Sequence, residues 1–75
     1  MKKFSLIGVN GNAFCVMGYV IKAMKKAGFL RSDIIEYQRI AEAGDYSALI
    51  AKSAHIIEKC NEKLGLTESE EEDED

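Results

Sequence analysis

Three glycines divide the chain into segments of helical periodicity, and this division limits the possible folds more than any other feature. They stand where a residue with left-handed backbone geometry would end a helix: Gly28, Gly44 and Gly65. The first segment opens at Asn12, a favourable N-cap, and its last turn carries lysines that favour the helix dipole. The sequence therefore predicts a helix from Asn12 to about Ala27.

Two further helices are predicted between the remaining glycines. Ser32 or Asp33 begins a second, shorter helix, which stops at Gly44. Asp45 then caps a third helix, which runs to about Leu64.

A short strand is predicted before the first helix. Residues 2–9 are rich in β-forming side chains and lead into a turn-like sequence at residues 9–12. A single strand leaves backbone groups unpaired, so it needs a partner, either residues 29–31 or the same strand of a second subunit. The predicted fold is therefore mainly α, with a short N-terminal β-strand followed by three helices.

The apolar residues of each predicted helix fall on one face, which is expected to form the core. In the first helix this face is wide. Its residues are Phe14, Met17, Ile21 and Met24, with Ala13, Val16, Val20 and Ala27 beside them. In the second helix the corresponding residues are Ile34, Tyr37 and Ala41.

The third helix carries a heptad-like seam. Ile50, Ile57 and Leu64 repeat every seven residues, and the intervening positions hold Tyr46, Ser53 and Cys60. Fewer than three heptads favour an ordinary packed helix over a coiled coil. Ile50, Ile57 and Leu64 are nevertheless the candidate interface of a homodimer. A second subunit would support a core this small.

Charge separates the chain into a domain and a tail. Residues 1–66 hold all 10 Lys and Arg and 6 of the 13 acids, and the other 7 acids lie in residues 67–75. Because residues 67–75 include no apolar side chain, we expect a disordered acidic C-terminal tail. A chain of 75 residues has room for one domain, which we place at residues 1–66.

No cluster of residues indicates catalysis or a cofactor. Cys15 and Cys60 form no C-x-x-C pair and have apolar neighbours, so we expect both to be buried thiols. His55, the only histidine, falls on the lysine-bearing face of the third helix, where we expect it to be exposed. Cys60 lies about 140° from it around that helix, too far for a catalytic pair. We therefore expect no enzyme, no metal and no cofactor.

The first helix offers two candidate sites. Lys22, Lys25 and Lys26 project from its polar side and are candidate phosphate contacts for weak nucleic-acid binding, with the acidic tail as an electrostatic brake. The turn at Gly11 and Asn12 precedes the helix N-terminus, whose backbone N–H groups favour an anion or small ligand. In both cases a structural role is the favoured interpretation: a solvated lysine face and a helix cap.

Two motifs resemble those of a group of very small bacterial and phage proteins to which no activity is assigned. The first motif, residues 8–14, has the form G-x-[DN]-G-N-A-F. The second, Glu42-Ala43-Gly44-Asp45-Tyr46 followed by Leu49-Ile50, is similar to the group's E-A-x-x-G-D-Y-x-x-L-[LI] but lacks the two residues between Ala and Gly. The resemblance implies an accessory or interaction protein of phage or mobile-element origin.

The chain contains no stretch of roughly 18 apolar residues, and the apolar run at residues 4–9 is too short for a signal peptide. We therefore expect a cytoplasmic protein. Its most favoured function is that of a small, non-catalytic protein-interaction or accessory module with a protein partner of unknown identity. Weak nucleic-acid binding is the alternative.

Overall fold

The computed structural model describes residues 3–66, which form three helices. They are α1 (Ala13–Lys26), α2 (Arg31–Glu42) and α3 (Tyr46–Leu64). The described part of the chain contains no strand, so the domain is mainly helical. The predicted acidic tail at residues 67–75 lies outside the described residues.

α1 begins and ends at the predicted residues. The side-chain oxygen of Asn12 accepts a hydrogen bond from the Phe14 N–H at 2.8 Å. Gly28 follows the helix with a φ of 83°. The N–H of Phe29 then donates to the Met24 carbonyl at 3.0 Å, as in a Schellman motif. Both ends of the helix are therefore capped by its own sequence.

α2 begins earlier than predicted. Its N-cap is Leu30, and the Asp33 carboxylate accepts a hydrogen bond from the Leu30 N–H at 3.3 Å. Asp33 thus acts from within the first turn and not as the cap itself. The prediction that Ser32 or Asp33 starts this helix is wrong for that reason.

α3 is bounded as predicted. The Asp45 carboxylate accepts a hydrogen bond from the Ala48 N–H at 3.2 Å. At the other end Gly65 has a φ of 70°, and the Leu66 N–H donates to the Asn61 carbonyl at 2.8 Å. These bonds satisfy backbone groups that a bare helix end would leave unpaired.

α1 and α3 run in the same direction, and contacts join them at both ends. The Tyr46 hydroxyl, in the first turn of α3, donates to the Gly11 carbonyl, which lies just before α1. At the opposite end, the Lys63 ammonium lies 5.1 Å from the centre of the Phe29 ring, just after α1. The first contact joins the two helix N-termini and the second joins the two C-terminal ends.

Small side chains of α1 lie at the centre of the core. Ala23 and Val20 are 0% exposed. Met24, a larger side chain, is buried beside them at 1% exposure. The buried apolar residues are Val16, Val20, Ala23, Met24 and Ala27 from α1 and its C-cap, Tyr37 from α2, and Leu49, Ile56, Ile57 and Cys60 from α3.

Two residues predicted to be buried are exposed. Phe14 is 78% exposed, and Cys15 is exposed beside it. They lie about 120° and 140° around α1 from Val20, which faces the core. The prediction centred the core face on the stripe that contains Phe14, whereas the buried side of α1 carries Val16, Val20 and Met24. Cys60 is buried as predicted, and this burial raises the pKa of its thiol.

A buried hydrogen bond joins α2 to α3. The hydroxyl oxygens of Tyr37 and Ser53 lie 2.6 Å apart, and the two residues are 1% and 0% exposed. Burial raises the pKa of the Tyr37 phenol more than the bond to Ser53 lowers it. Each hydroxyl is the partner that the other needs, which explains a serine in the middle of the predicted apolar seam.

Residues 3–9, the N-terminal segment, lie across α1 and α3 without forming a strand. The Phe4 N–H donates to Asn61 Oδ1 at 2.7 Å, and Asn61 Nδ2 donates to the Phe4 carbonyl at 3.0 Å. The Ser5 N–H donates to the Tyr19 hydroxyl at 2.9 Å. The Phe4 and Tyr19 rings meet edge to face, with centroids 6.2 Å apart. Side chains thus satisfy the backbone in place of a strand.

One predicted partner of the N-terminal strand is residues 29–31. Residues 29–31 do not pair with the N-terminal segment, because Arg31 already belongs to α2. The segment turns instead. The Val9 N–H donates to the Leu6 carbonyl at 3.1 Å, and Gly8 has the φ of 88° that a type II turn requires. Pairing with a second subunit stays a prediction.

Removing either buried hydroxyl should destabilise the domain. Ser53→Ala leaves the Tyr37 hydroxyl without a partner, and we expect the free energy of unfolding to fall by about 1–3 kcal/mol. Tyr37→Phe should have a similar effect on Ser53. The double variant should lose about 1 kcal/mol less than the sum of the single losses. Urea unfolding of the three variants measures this, and additive losses would contradict the bond.

Asn61→Ala should release the N-terminal segment, because it removes the partner of both backbone groups of Phe4. We expect a loss of about 1–2 kcal/mol in stability and faster hydrogen exchange at the Phe4 amide. Glu62→Ala is the matched control, since Glu62 is exposed and adjacent. Equal exchange rates at Phe4 in the two variants would show that Asn61 does not hold the segment.

Candidate functional site

An open groove lies between α1 and α2, and no residue of α3 lines it. We call it the α1–α2 groove. Its lining residues are Ile21, Lys25, Phe29, Arg31, Ile34, Ile35 and Gln38. The short connection at residues 27–30 places the two helices side by side, so that each forms one wall.

Apolar side chains that the core leaves uncovered line or adjoin this groove. Ile35 is 45% exposed, and Leu30, which stands between two lining residues in sequence, is 67% exposed. Ile21, Phe29 and Ile34 are half-buried and pack against the core from outside. The groove is therefore lined by both apolar and polar side chains, and exposed apolar side chains stand at Leu30 and Ile35.

The apolar surface continues along α1 toward its N-terminus. Phe14, Gly18, Ile21 and Lys25 lie within about 60° of one another around the helix and form one row. Phe14 contributes a large exposed ring. At Gly18 a Cβ atom would meet nothing within 4 Å, so the surface there is open. Another helix can approach the α1 backbone closely at this point.

The three lysines of the candidate nucleic-acid patch are exposed but point in different directions. Lys25 lines the α1–α2 groove together with Arg31. Lys22 and Lys26 lie about 60° and 100° from Lys25 around α1. Only Lys25 therefore combines its charge with the apolar surface.

The candidate anion turn is occupied by hydrogen bonds of its own. The Asn12 N–H donates to Asn10 Oδ1 at 2.8 Å, and the Phe14 N–H donates to Asn12 Oδ1. The Gly11 carbonyl accepts from the Tyr46 hydroxyl. Two of the N–H groups that an anion would need are thus already bound, and anion binding stays a prediction.

The candidate dimer interface faces mainly the chain's own interior. Ile57 is 5% exposed and belongs to the core. Ile50 and Leu64 are half-buried and pack against that core. Most of the apolar surface of this seam is therefore already covered within one chain.

Two other grooves flank His55. One lies between the N-terminal segment and α3, and the other lies between α2 and α3. The second has Asp33 and Glu36 on one wall and Lys52 and Lys59 on the other. None of the exposed large apolar residues lines either groove.

Within residues 3–66, no group of three or more His, Cys, Asp or Glu side chains is placed to hold a metal ion. His55 and Cys15 are both exposed, whereas Cys60 is buried. Among the helices of this part of the chain, none has the length and apolar character to cross a membrane.

The sequence prediction did not identify the α1–α2 groove. One signal was present: Ile34 and Ile35 are adjacent, and neighbouring residues of a helix point about 100° apart. Both cannot face the same core. The exposure of Phe14 carried no such signal, because it depends on which side of α1 packs against α3.

A search of protein-family models, of curated proteins and of solved structures finds no match for the chain.

Proposed function

We propose that this protein is a non-catalytic interaction module that binds an amphipathic helix of a partner protein in the α1–α2 groove. One observation carries the proposal: Ile35 is exposed in an open groove that half-buried isoleucines also line, and Leu30 is exposed beside it. Covering apolar surface contributes roughly 25 cal/mol per Å² to association. A partner that covers these two side chains therefore gains from their burial.

The shape of the surface supports a helix as the bound element. Packed helices lie about 8–10 Å apart, and their side chains insert between the ridges of their neighbours. A helix bound in such a groove uses anchors spaced at i, i+3, i+4 and i+7. The row at Phe14, Gly18 and Ile21 has the same spacing, and Gly18 presents no side chain that would hold a partner away.

Charge supports acidic residues at one end of the partner helix. Lys25 and Arg31 line the same end of the groove, where α1 ends and α2 begins. A partner helix with Asp or Glu at that end would place opposite charges together. This complementarity fixes the direction in which the helix binds and accelerates association.

The same surface suits nucleic acid less well. Single-stranded nucleic acid binds through exposed aromatic rings and a continuous basic track. Here Phe29 is the one aromatic residue among the described residues that line the groove, and Lys22 and Lys26 point away from Lys25. Nucleic-acid binding is therefore the alternative outcome of the tests below.

Ile35→Glu should abolish binding of an amphipathic helical peptide. The probe is a synthetic peptide of about 18 residues with a leucine face and glutamates in its first turn. A buried carboxylate replaces an anchor contact, so we expect the dissociation constant to rise about tenfold or more, about 1.4 kcal/mol. Ile7→Glu is the matched control, because Ile7 is 92% exposed and lies outside the groove.

Fluorescence anisotropy of the labelled peptide measures both affinities, and light scattering measures the mass of the protein. Equal affinities of the Ile35→Glu and Ile7→Glu variants would contradict the proposed groove. A dimer that Ile35→Glu dissociates would also contradict the proposal, because a second copy of the chain would then be the occupant.

Lys25→Glu should weaken binding of the glutamate-bearing peptide more than Lys26→Glu does. The two residues are adjacent in the last turn of α1 and both are exposed, so their effects on net charge and the helix dipole match. Only Lys25 lines the groove. The same two variants are titrated with duplex and single-stranded oligonucleotides. Oligonucleotide binding that is stronger than peptide binding and falls equally in both variants would favour the lysine face as a nucleic-acid site.

A further inference from the structure

Cationic side chains are concentrated at the end of the domain where α1 and α3 finish. We call this surface the basic end. Four acids share it, and the Asp33 carboxylate among them is bonded to the Leu30 N–H. Positive charge is therefore in excess there. The cations are Lys22, Lys25 and Lys26 of α1, Arg31 of α2, and Lys59 and Lys63 of α3; the acids are Asp33, Glu36, Glu58 and Glu62.

The last described residue, Leu66, lies at this same end, and the acidic residues 67–75 follow it in sequence. Leu66 is held by the bond from its N–H to the Asn61 carbonyl. Lys63, one turn earlier, contacts the Phe29 ring, and Phe29 lines the α1–α2 groove with Lys25. The last turn of α3 therefore contacts a residue that lines the groove.

The acidic segment is long enough to reach every cation of the basic end. Nine residues span up to about 30 Å when extended. α1, with 14 residues, is only about 21 Å long. The segment carries 7 acids and no cation, so its charge is opposite to that of the surface beside which it begins.

We infer that residues 67–75 bind the basic end of their own domain and compete with an acidic partner helix for Lys25 and Arg31. The inference rests on the function proposed above, because it makes the segment a regulator of the α1–α2 groove. Tethering gives the segment a local concentration on the order of 1 mM, which compensates for weak individual ion pairs. The segment has no apolar residue, so it competes for the cations and not for the apolar side chains of the groove.

This arrangement makes partner binding depend on charge in the acidic segment. A partner that contributes both acids and apolar anchors displaces the segment, whereas a purely acidic ligand competes with it directly. Replacing the seven acids with Gln and Asn in the full chain should tighten binding of the glutamate-bearing peptide by about tenfold at low salt. Salt screens both contacts, so the difference should disappear at high ionic strength.

Paramagnetic relaxation tests the contact without any partner. A nitroxide is attached at Asp75→Cys in a Cys15→Ser background, in which the other cysteine, Cys60, is buried and unreactive. At low salt, the amide signals of residues 25–31 should lose most of their intensity. The combined substitutions Lys25→Glu and Arg31→Glu should restore them. Arg39→Glu with Lys52→Glu is the matched control, since it changes the net charge equally outside the basic end.

Equal broadening in the two charge-reversed proteins, or broadening that high salt does not reduce, would overturn the inference. The peptide titration separates this result from the function proposed above. If the chain in which Gln and Asn replace the seven acids binds no amphipathic peptide, the groove proposal is wrong, whatever the nitroxide experiment shows. If it binds the peptide and the nitroxide broadens nothing, the groove proposal stands and the inference about residues 67–75 is wrong.

Discussion

The side of α1 that is buried determines where the other apolar side chains of this helix lie. Val20 and Ala23 are fully buried, and the wide face of α1 cannot turn toward α3 and toward solvent at once. Once this side packs inward, the row from Phe14 to Ile21 must lie outside the core. α2 then covers only part of that row. The part of the row that α2 leaves uncovered forms one wall of the α1–α2 groove.

Two polar contacts hold the elements around this helix pair. The Tyr37 and Ser53 hydroxyls satisfy each other at the α2–α3 contact, where either group alone would be an unpaired buried donor. Asn61 binds both backbone groups of Phe4 and so fastens the N-terminal segment over α1 and α3. A domain with so small a core has little apolar burial to spare, so such contacts contribute a large share of its net stability.

Local signals predicted the helices well, and the packing poorly. Asn12, Asp45 and Gly65 act through bonds to residues a few positions away, and these are readable from the chain itself. The N-terminal strand was predicted because residues 2–9 have β-forming side chains, but the partners of its backbone are Tyr19 and Asn61, distant in sequence. The groove likewise depends on which side of α1 faces α3, and apolar periodicity leaves that choice open when the face is wide.

The central claim is that Phe14 lies outside the core while Met24, three turns along the same predicted stripe, lies within it. Urea unfolding of Phe14→Ala and Met24→Ala tests it directly. Removing a buried Phe or Met side chain costs about 2–5 kcal/mol. The account predicts a loss in that range for Met24→Ala and a loss of less than about 1 kcal/mol for Phe14→Ala. A loss of about 3 kcal/mol or more for Phe14→Ala would place Phe14 in the core and contradict the packing from which the groove follows.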